Sequence, residues 1–216
     1  MKKEGRFLVL EGCDGSGKGV QSKALLAAMQ NADLQVILTR EPGGSEGAEL
    51  IRQLIVEGDT DRWDDITELL LIYAARRSHL RDTIWPALEA GNWVISDRFA
   101  DSSRAFQGGA GSLGLEVVET LHQQVVGDFV PFLTLVLDID PKISLARAEA
   151  RGGKEDRFEQ KGLSYQQAVR ETYHSIVSKN PESHVLINGD QSIDNVTKDI
   201  LNAVNARCNL SLSTSD

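Results

Sequence analysis

Residues 11–22, EGCDGSGKGVQS, place glycines and a lysine at the spacing of a loop that wraps phosphate groups. The motif G-x-x-x-x-G-K-[ST] works for three reasons. Glycines let backbone N–H groups converge on phosphate oxygens, the following helix adds the partial positive charge of its N-terminus, and the lysine reaches the β- and γ-phosphates. Gly12, Gly17 and Lys18 are in place, with Asp14, Gly15 and Ser16 between them, but Gly19 and Val20 follow where a hydroxyl would meet Mg²⁺. Ser22 lies three residues on, about 4.5 Å further along a helix, too far to replace that ligand. Mg²⁺ keeps several waters readily, so nucleotide oxygens, waters and one carboxylate would still hold it. The alternative is a loop that binds nucleotide and has lost turnover.

Two further stretches put arginine just after an apolar run: Arg40 in REPGG and Arg98 in DRF. One such arginine is ordinarily a surface charge. Two of them at the same sheet edge as a phosphate loop suggest a second anion site, because a guanidinium grips phosphate oxygens with two parallel N–H groups. Asp97 sits where an acid would hold Mg²⁺ directly or through water, with an ion pair to a nearby arginine as the competing reading. A third basic cluster, Arg147, Arg151, Lys154 and Arg157, surrounds Gly152-Gly153. It is either a solvated charged turn or a lid that closes over ATP.

In TELLLIYAARRSHL, Leu69, Ile72, Arg76 and Leu80 share a helix face. A charge in an apolar stripe needs a partner, which a ligand would supply, unless the side chain snorkels to water. Arg77, His79 and Arg81 read as ordinary surface residues. Ser103 and Gln107 are four apart in DSSRAFQGGAG, read here as a polar glycine-rich loop whose side chains can hydrogen-bond a base edge.

The elements that must position these groups follow from hydrophobic patterning. Strands are predicted at 6–10, 35–39, 93–97, 133–138 and 184–188, with helices at roughly 18–30, 46–57, 64–90, 114–126, 141–151, 162–179 and 192–207. Asp140-Pro141 is a helix-start signal. Strands alternating with helices imply an α/β fold, an open parallel five-stranded sheet flanked by helices. Ligands bind such sheets at the carboxyl ends of the strands. The 216 residues suffice for one domain, 1–209 with a lid around 151–160, and the Ser/Thr-rich tail 210–216 is expected to fray. A net charge of −9 opposes nucleic-acid binding. The two cysteines form no disulfide framework or metal pattern, and no run reads as a signal peptide or membrane span, so a cytoplasmic protein is expected.

Taken in order, EG-x-DG-x-GK at 11–18, REPGG at 40–44, AAR ending at Arg76, DRF at 97–99, S-x-x-x-QGG from Ser103 and the ARG…DRFE lid resemble the thymidylate kinase family, bacterial type, from Phe7 to about Arg207. The resemblance implies a nucleoside monophosphate kinase of the P-loop type, usually a homodimer, that converts ATP and dTMP to ADP and dTDP with Mg²⁺. It further implies that residues 12 and 14–20 with Arg147 and Arg157 contact ATP, and that Asp14 lies near the deoxyribose 3′-OH. Arg40 and Arg98 would hold the acceptor phosphate, while Arg76, Ser103 and Gln107 read the thymine edge. Gly15 stands where one branch of the family carries a basic residue. The lid is basic instead, which implies a lid arginine, Arg151, as the catalytic one beside Lys18, Arg98 and Asp97. Two positions depart from the family: Gly19 replaces the usual Ser/Thr, and Ile72 replaces a phenylalanine that stacks on thymine in many members. The alternatives are a monophosphate kinase of altered base preference and a non-catalytic nucleotide binder.

Overall fold

In the computed structural model, which describes residues 5–59, 61–151 and 161–214, five strands form one all-parallel sheet in the order β2-β3-β1-β4-β5. They are β1 (Phe7–Gly12), β2 (Val36–Arg40), β3 (Trp93–Asp97), β4 (Leu133–Asp138) and β5 (His184–Asn188). Every residue of β1 is buried, as a central strand covered on both faces must be. Its even residues Leu8 and Leu10 join Ile95, Leu133 and Leu135 in a core that also takes Leu25 and Met29 from α1 (Lys18–Asn31) and Ile200 and Val204 from α9 (Ile193–Cys208). Its odd residues Phe7 and Val9 face a second core with Leu69 and Tyr73 of α3 (Asp65–His79).

Chain order places β1 between β3 and β4, so the chain leaves β1 at the point where the strand order reverses. A crevice opens there at the carboxyl edge of such a sheet. β1 runs two residues beyond the apolar stretch, because Glu11 and Gly12 pair with Val136 and Leu137. α2 (Glu46–Val56) packs on α3, and α6 (Leu115–Val125), α7 (Pro141–Arg151) and α8 (Leu163–Lys179) complete the outer layers. Pro141 opens α7 as expected, and the Asp140 carboxylate accepts from the Lys142 N–H at 2.8 Å.

Three expectations are corrected. The single helix at 64–90 is interrupted. α3 ends at His79, a π-helical turn spans Leu80–Ile84, and α4 (Trp85–Glu89) resumes. Pro86 supplies the reason: it lacks the N–H that a continuous helix needs, and a widened turn before it avoids the clash with the preceding carbonyl. Residues 101–111, read as a loop, are helical as far as Gly109: α5 (Ala100–Ser103) runs into a π-helical turn, Arg104–Gly109. The tail is tied down as far as Leu212, which is buried. Asn205 donates to the Leu212 carbonyl at 2.9 Å and accepts from its N–H at 2.7 Å. No helix among the described residues is long and apolar enough to cross a membrane. Cys13 and Cys208 are buried and free.

Candidate active site

The loop between β1 and α1 is shaped by its glycines. At Gly12 (φ 139°) a Cβ would lie 2.6 Å from the Leu137 carbonyl oxygen, and Gly17, which caps α1, has φ 93° in open space. Only glycine adopts such angles without strain. Lys18 is buried, and its Nζ donates to the carbonyls of Cys13 (2.7 Å) and Gly12 (3.0 Å) and to Ser16 Oγ (3.3 Å). Burial, then Arg98, pull its ammonium below the ordinary lysine range, against Asp97 and Asp14. Lys18 thus sits folded along the rim of the loop, where arriving phosphate oxygens would replace carbonyl oxygens as acceptors. Cys13, within the loop, is inert: burial pushes its thiol up to about 11. Gly15 and Ser16 complete the turn, and Val20 is half exposed on the first turn of α1.

Gly19 has room for a side chain. A Cβ there would sit 3.6 Å from Asp97 Oδ2, an ordinary contact. The missing hydroxyl would therefore have faced the carboxylate expected to hold metal. Asp97 closes β3, makes no ion pair among the described residues, and lies close enough to Lys18 and Arg98 to act on both through its charge. Among the described residues no cluster of three His, Cys, Asp or Glu could hold a metal by itself. One carboxylate facing the phosphate loop suits Mg²⁺, which takes its other ligands from phosphates and water.

The strand-end arginines emerge where expected. Arg40 ends β2 and is in register with Asp97 on β3. Its exposed guanidinium pairs with Glu49 at 3.0 Å, and Glu49 also accepts from the Gly44 N–H. Arg98, in the left-handed region at φ 73°, turns its side chain into the crevice. It donates to Asp14 Oδ1 (2.6 Å), the Gly12 carbonyl (3.1 Å) and Ser102 Oγ (2.8 Å). Asp14 and Arg98 thereby join the phosphate loop to the segment after β3.

Behind them α3 faces α5 and its π turn. Arg76 is 1% exposed, so it does not snorkel, and its partner is internal. Nε donates to Glu41 (2.7 Å), Nη1 to Ser103 Oγ (3.0 Å) and Nη2 to the Phe99 carbonyl (3.0 Å). Three of the five guanidinium N–H groups are committed there. His79, read as a surface residue, is fully buried and bridges Glu41 (3.1 Å) and Thr39 (2.6 Å). Burial pushes the Glu41 carboxyl up, but Arg76 and His79 more than offset this and hold it below the usual range. Gln107 is buried, and its Nε2 donates to Glu68 Oε1 at 2.9 Å. Ile72, midway between Glu68 and Arg76, packs with Ile55 and Val56 of α2. It contributes apolar surface and no ring.

Sequence reasoning missed Glu11, Glu41, Glu68 and His79. Glu11 accepts from the N–H groups of Phe99 (2.8 Å) and Ser102 (3.1 Å) and from the Tyr173 hydroxyl (2.8 Å). It thus satisfies the donors at the start of α5. The signals were present: Glu11 and Glu41 lie inside motifs, Glu68 is four residues before Ile72, and His79 is three after Arg76. On the lid side, Arg147 is exposed on α7, and Arg151 is its last residue. The side chain of Arg151, and Lys154 and Arg157 altogether, lie outside the described residues.

A glycine loop with a buried lysine, an unpaired aspartate beside it and arginines at neighbouring strand ends, all on a 2-3-1-4-5 parallel sheet, define a P-loop kinase of the nucleoside monophosphate class. The thymidylate kinase family model matches residues 10–200. The chain is 45% identical over 207 residues to the thymidylate kinase of Caulobacter vibrioides, covering 96% of this chain and 99% of that one. It is 46% identical over 204 residues to that of Ruegeria pomeroyi, covering 94% and 96%. The crystal structure of thymidylate kinase from Ehrlichia chaffeensis superposes with a TM-score of 0.74 at 28% identity, over 93% of this chain and 98% of that one. The chain belongs to the thymidylate kinase family.

Proposed function

We propose that this protein transfers the γ-phosphoryl group of ATP to the phosphate of dTMP, giving ADP and dTDP. The observation that carries the reading is the shared crevice. Lys18 on the phosphate loop and Arg98 after β3 both reach the Gly12 carbonyl, so a donor and an acceptor phosphate would meet cationic groups on either side of one point. The attacking oxygen of dTMP is already ionised at neutral pH, so no general base is required. The barrier is repulsion between two anions together with misalignment, and fixed positive charge lowers both. Lys18 follows the transferring group, Arg98 and Arg40 hold the acceptor phosphate, and Asp14 orients Arg98. Residues 12 and 14–20 cradle ATP, while Arg147, Arg151 and Arg157 close over it from the lid. A divalent cation held by Asp97 would neutralise charge on the phosphates.

On the base side, Arg76 donates toward the O4 carbonyl of thymine, with Ser103, Gln107 and the apolar flank of Ile72 around the ring. The protein acts as a homodimer. In support, Ile66 and Leu70 of α3 and Val117 of α6 are large apolar side chains left exposed around one shallow groove. A cytoplasmic location is supported by two free thiols and the absence of a disulfide. The acid-rich composition argues against nucleic acid as a partner.

The test is a coupled assay of ADP release with dTMP, dUMP and dCMP as acceptors and Mg²⁺ as the metal. dTMP-dependent release, weaker with dUMP and far weaker with dCMP, is expected. Turnover of dCMP equal to that of dTMP would replace this reading with a kinase of broader base preference. No acceptor-dependent release would favour a nucleotide binder.

A further inference from the structure

Two helical rows face each other behind the crevice, one with polar side chains eight residues apart around an isoleucine, the other with polar side chains four apart. Glu68, Ile72 and Arg76 lie on α3. Ser103 and Gln107 lie on α5 and its π turn. The rows run antiparallel and touch at both ends, Arg76 to Ser103 at 3.0 Å and Gln107 to Glu68 at 2.9 Å. Both members of the second pair are nearly inaccessible to solvent, Glu68 at 2% and Gln107 at 4%.

The second contact has directional content. An ionised carboxylate accepts and does not donate, whereas an amide presents two donors on one side and an acceptor on the other. Gln107 must therefore turn Nε2 to Glu68 and Oε1 the other way. Were the amide reversed, two acceptors would meet in a buried site, and such an unpaired arrangement is costly. We infer that Glu68 is a specificity-determining positioning residue: by holding Nε2 of Gln107, it fixes the amide as an acceptor toward the base and so selects a pyrimidine carrying a proton on N3 over one that does not. This rests on the reading of Gln107 as a base contact given above.

The chemistry is complementary on the base. Thymine and uracil offer an N3–H donor beside an O4 acceptor. Cytosine offers an N3 acceptor beside an amino donor. An Oε1 held in place pairs with the first and opposes a lone pair with the second, while Arg76, a donor only, matches O4 and opposes the amino group. A site that leaves its own buried polar atoms unpaired against the wrong analogue rejects it strongly. Without Glu68 the amide would be free to turn, and the discrimination it carries would be lost. In this reading Glu68 acts on the base through Gln107, whose Nε2 it holds.

The experiment measures kcat/KM for dTMP and dCMP on the wild-type protein, Gln107→Ala, Glu68→Gln and the swap Glu68→Gln/Gln107→Glu, with thermal melting as a check of folding. Glu68→Gln replaces the carboxylate by an amide of the same shape that tolerates either orientation of Gln107. It should lower the dTMP-to-dCMP ratio by about tenfold or more. In the swap, the new amide donates to a carboxylate at 107, whose second oxygen accepts from N3–H, so the ratio should return toward that of the wild type. A merely structural role for Glu68 would lower both specificity constants by one factor and leave the ratio unmoved, which overturns the inference. So does an unchanged ratio in Glu68→Gln when Gln107→Ala lowers it, and that outcome leaves Gln107 as a base reader. If Gln107→Ala also keeps the ratio, Gln107 does not read the base and the inference falls with that contact. A wild-type protein without dTMP-dependent turnover would defeat the kinase reading itself, and the inference with it.

Discussion

Lys18 and Gly19 are adjacent, yet they make opposite demands on the site. Lys18 holds its charge against two loop carbonyls and Ser16, ready to exchange them for phosphate oxygens. Lys18→Ala removes charge that must follow the transferring group, and loss of one such contact lowers turnover by roughly 10²–10³. The check is kcat at saturating ATP and dTMP; a value within a few-fold of wild type would remove Lys18 from the transfer step. Gly19 lacks a ligand where a hydroxyl would face Asp97, since a Cβ there would meet Asp97 Oδ2 at an ordinary contact of 3.6 Å. Gly19→Thr should therefore fold without strain and lower the Mg²⁺ concentration needed for half-maximal rate. Superimposable Mg²⁺ titrations of the two proteins would mean that position 19 takes no part in holding the cation.

At the level of elements, the site depends on carboxylates that anchor one segment to another. Glu41, just after β2, binds Arg76 and His79 of α3 with all three side chains buried. Removing one partner of such a pair leaves an uncompensated charge, a loss of about 3–5 kcal/mol. Glu41→Gln should cost stability on that scale in denaturant unfolding and should weaken dTMP binding, because Arg76 is released from its orientation. A loss below about 1 kcal/mol, the range of an exposed ion pair, would show that α3 does not depend on it. These anchors mark where the sequence was readable and where it was not. The strands, the phosphate loop and Arg98 were legible because periodicity and glycine spacing are local signals. α5 was not, since the donors at its start are satisfied by Glu11, some 90 residues earlier, and nothing in DSSRAFQGG announces that. Arg76 was legible as an anomaly in its stripe, but its partner lay on another element. His79 was misread because the face of α3 that packs on β2 and Glu41 is set by tertiary contact and not by its own periodicity.

Over the whole molecule the net charge of −9 means that attraction for anionic substrates comes from a few focused cations in the crevice and not from the surface at large. The same arrangement shapes the response to acid. His122 of α6 lies buried beside Tyr73, whose hydroxyl is 3.4 Å from Nδ1, and the cations Arg104 and Arg76 are near. Burial, then those two arginines, lower its pKa from 6.5 to about 4, against Glu119 and Asp101. The folded state therefore holds this ring neutral at pH values where the unfolded chain protonates it. Its stabilising contribution is complete above about pH 6.5 and is lost as pH falls toward 4, because the unfolded state binds the extra proton. Glu41, Asp101 and Asp138 have carboxyl pKa values held below normal. Their contributions are lost as pH falls through the ordinary carboxylate range, and buried Glu11, whose carboxyl pKa is raised, acts in the opposite sense, so between about pH 6.5 and 4.5 the histidine is isolated by the difference between wild type and a variant lacking it. Melting temperature should fall across that interval in the wild-type protein and fall less in His122→Gln, a variant that keeps a polar side chain beside Tyr73 and cannot be protonated. Parallel slopes for the two proteins would show that His122 titrates alike in the folded and unfolded chains, and that the acid sensitivity of the fold arises elsewhere.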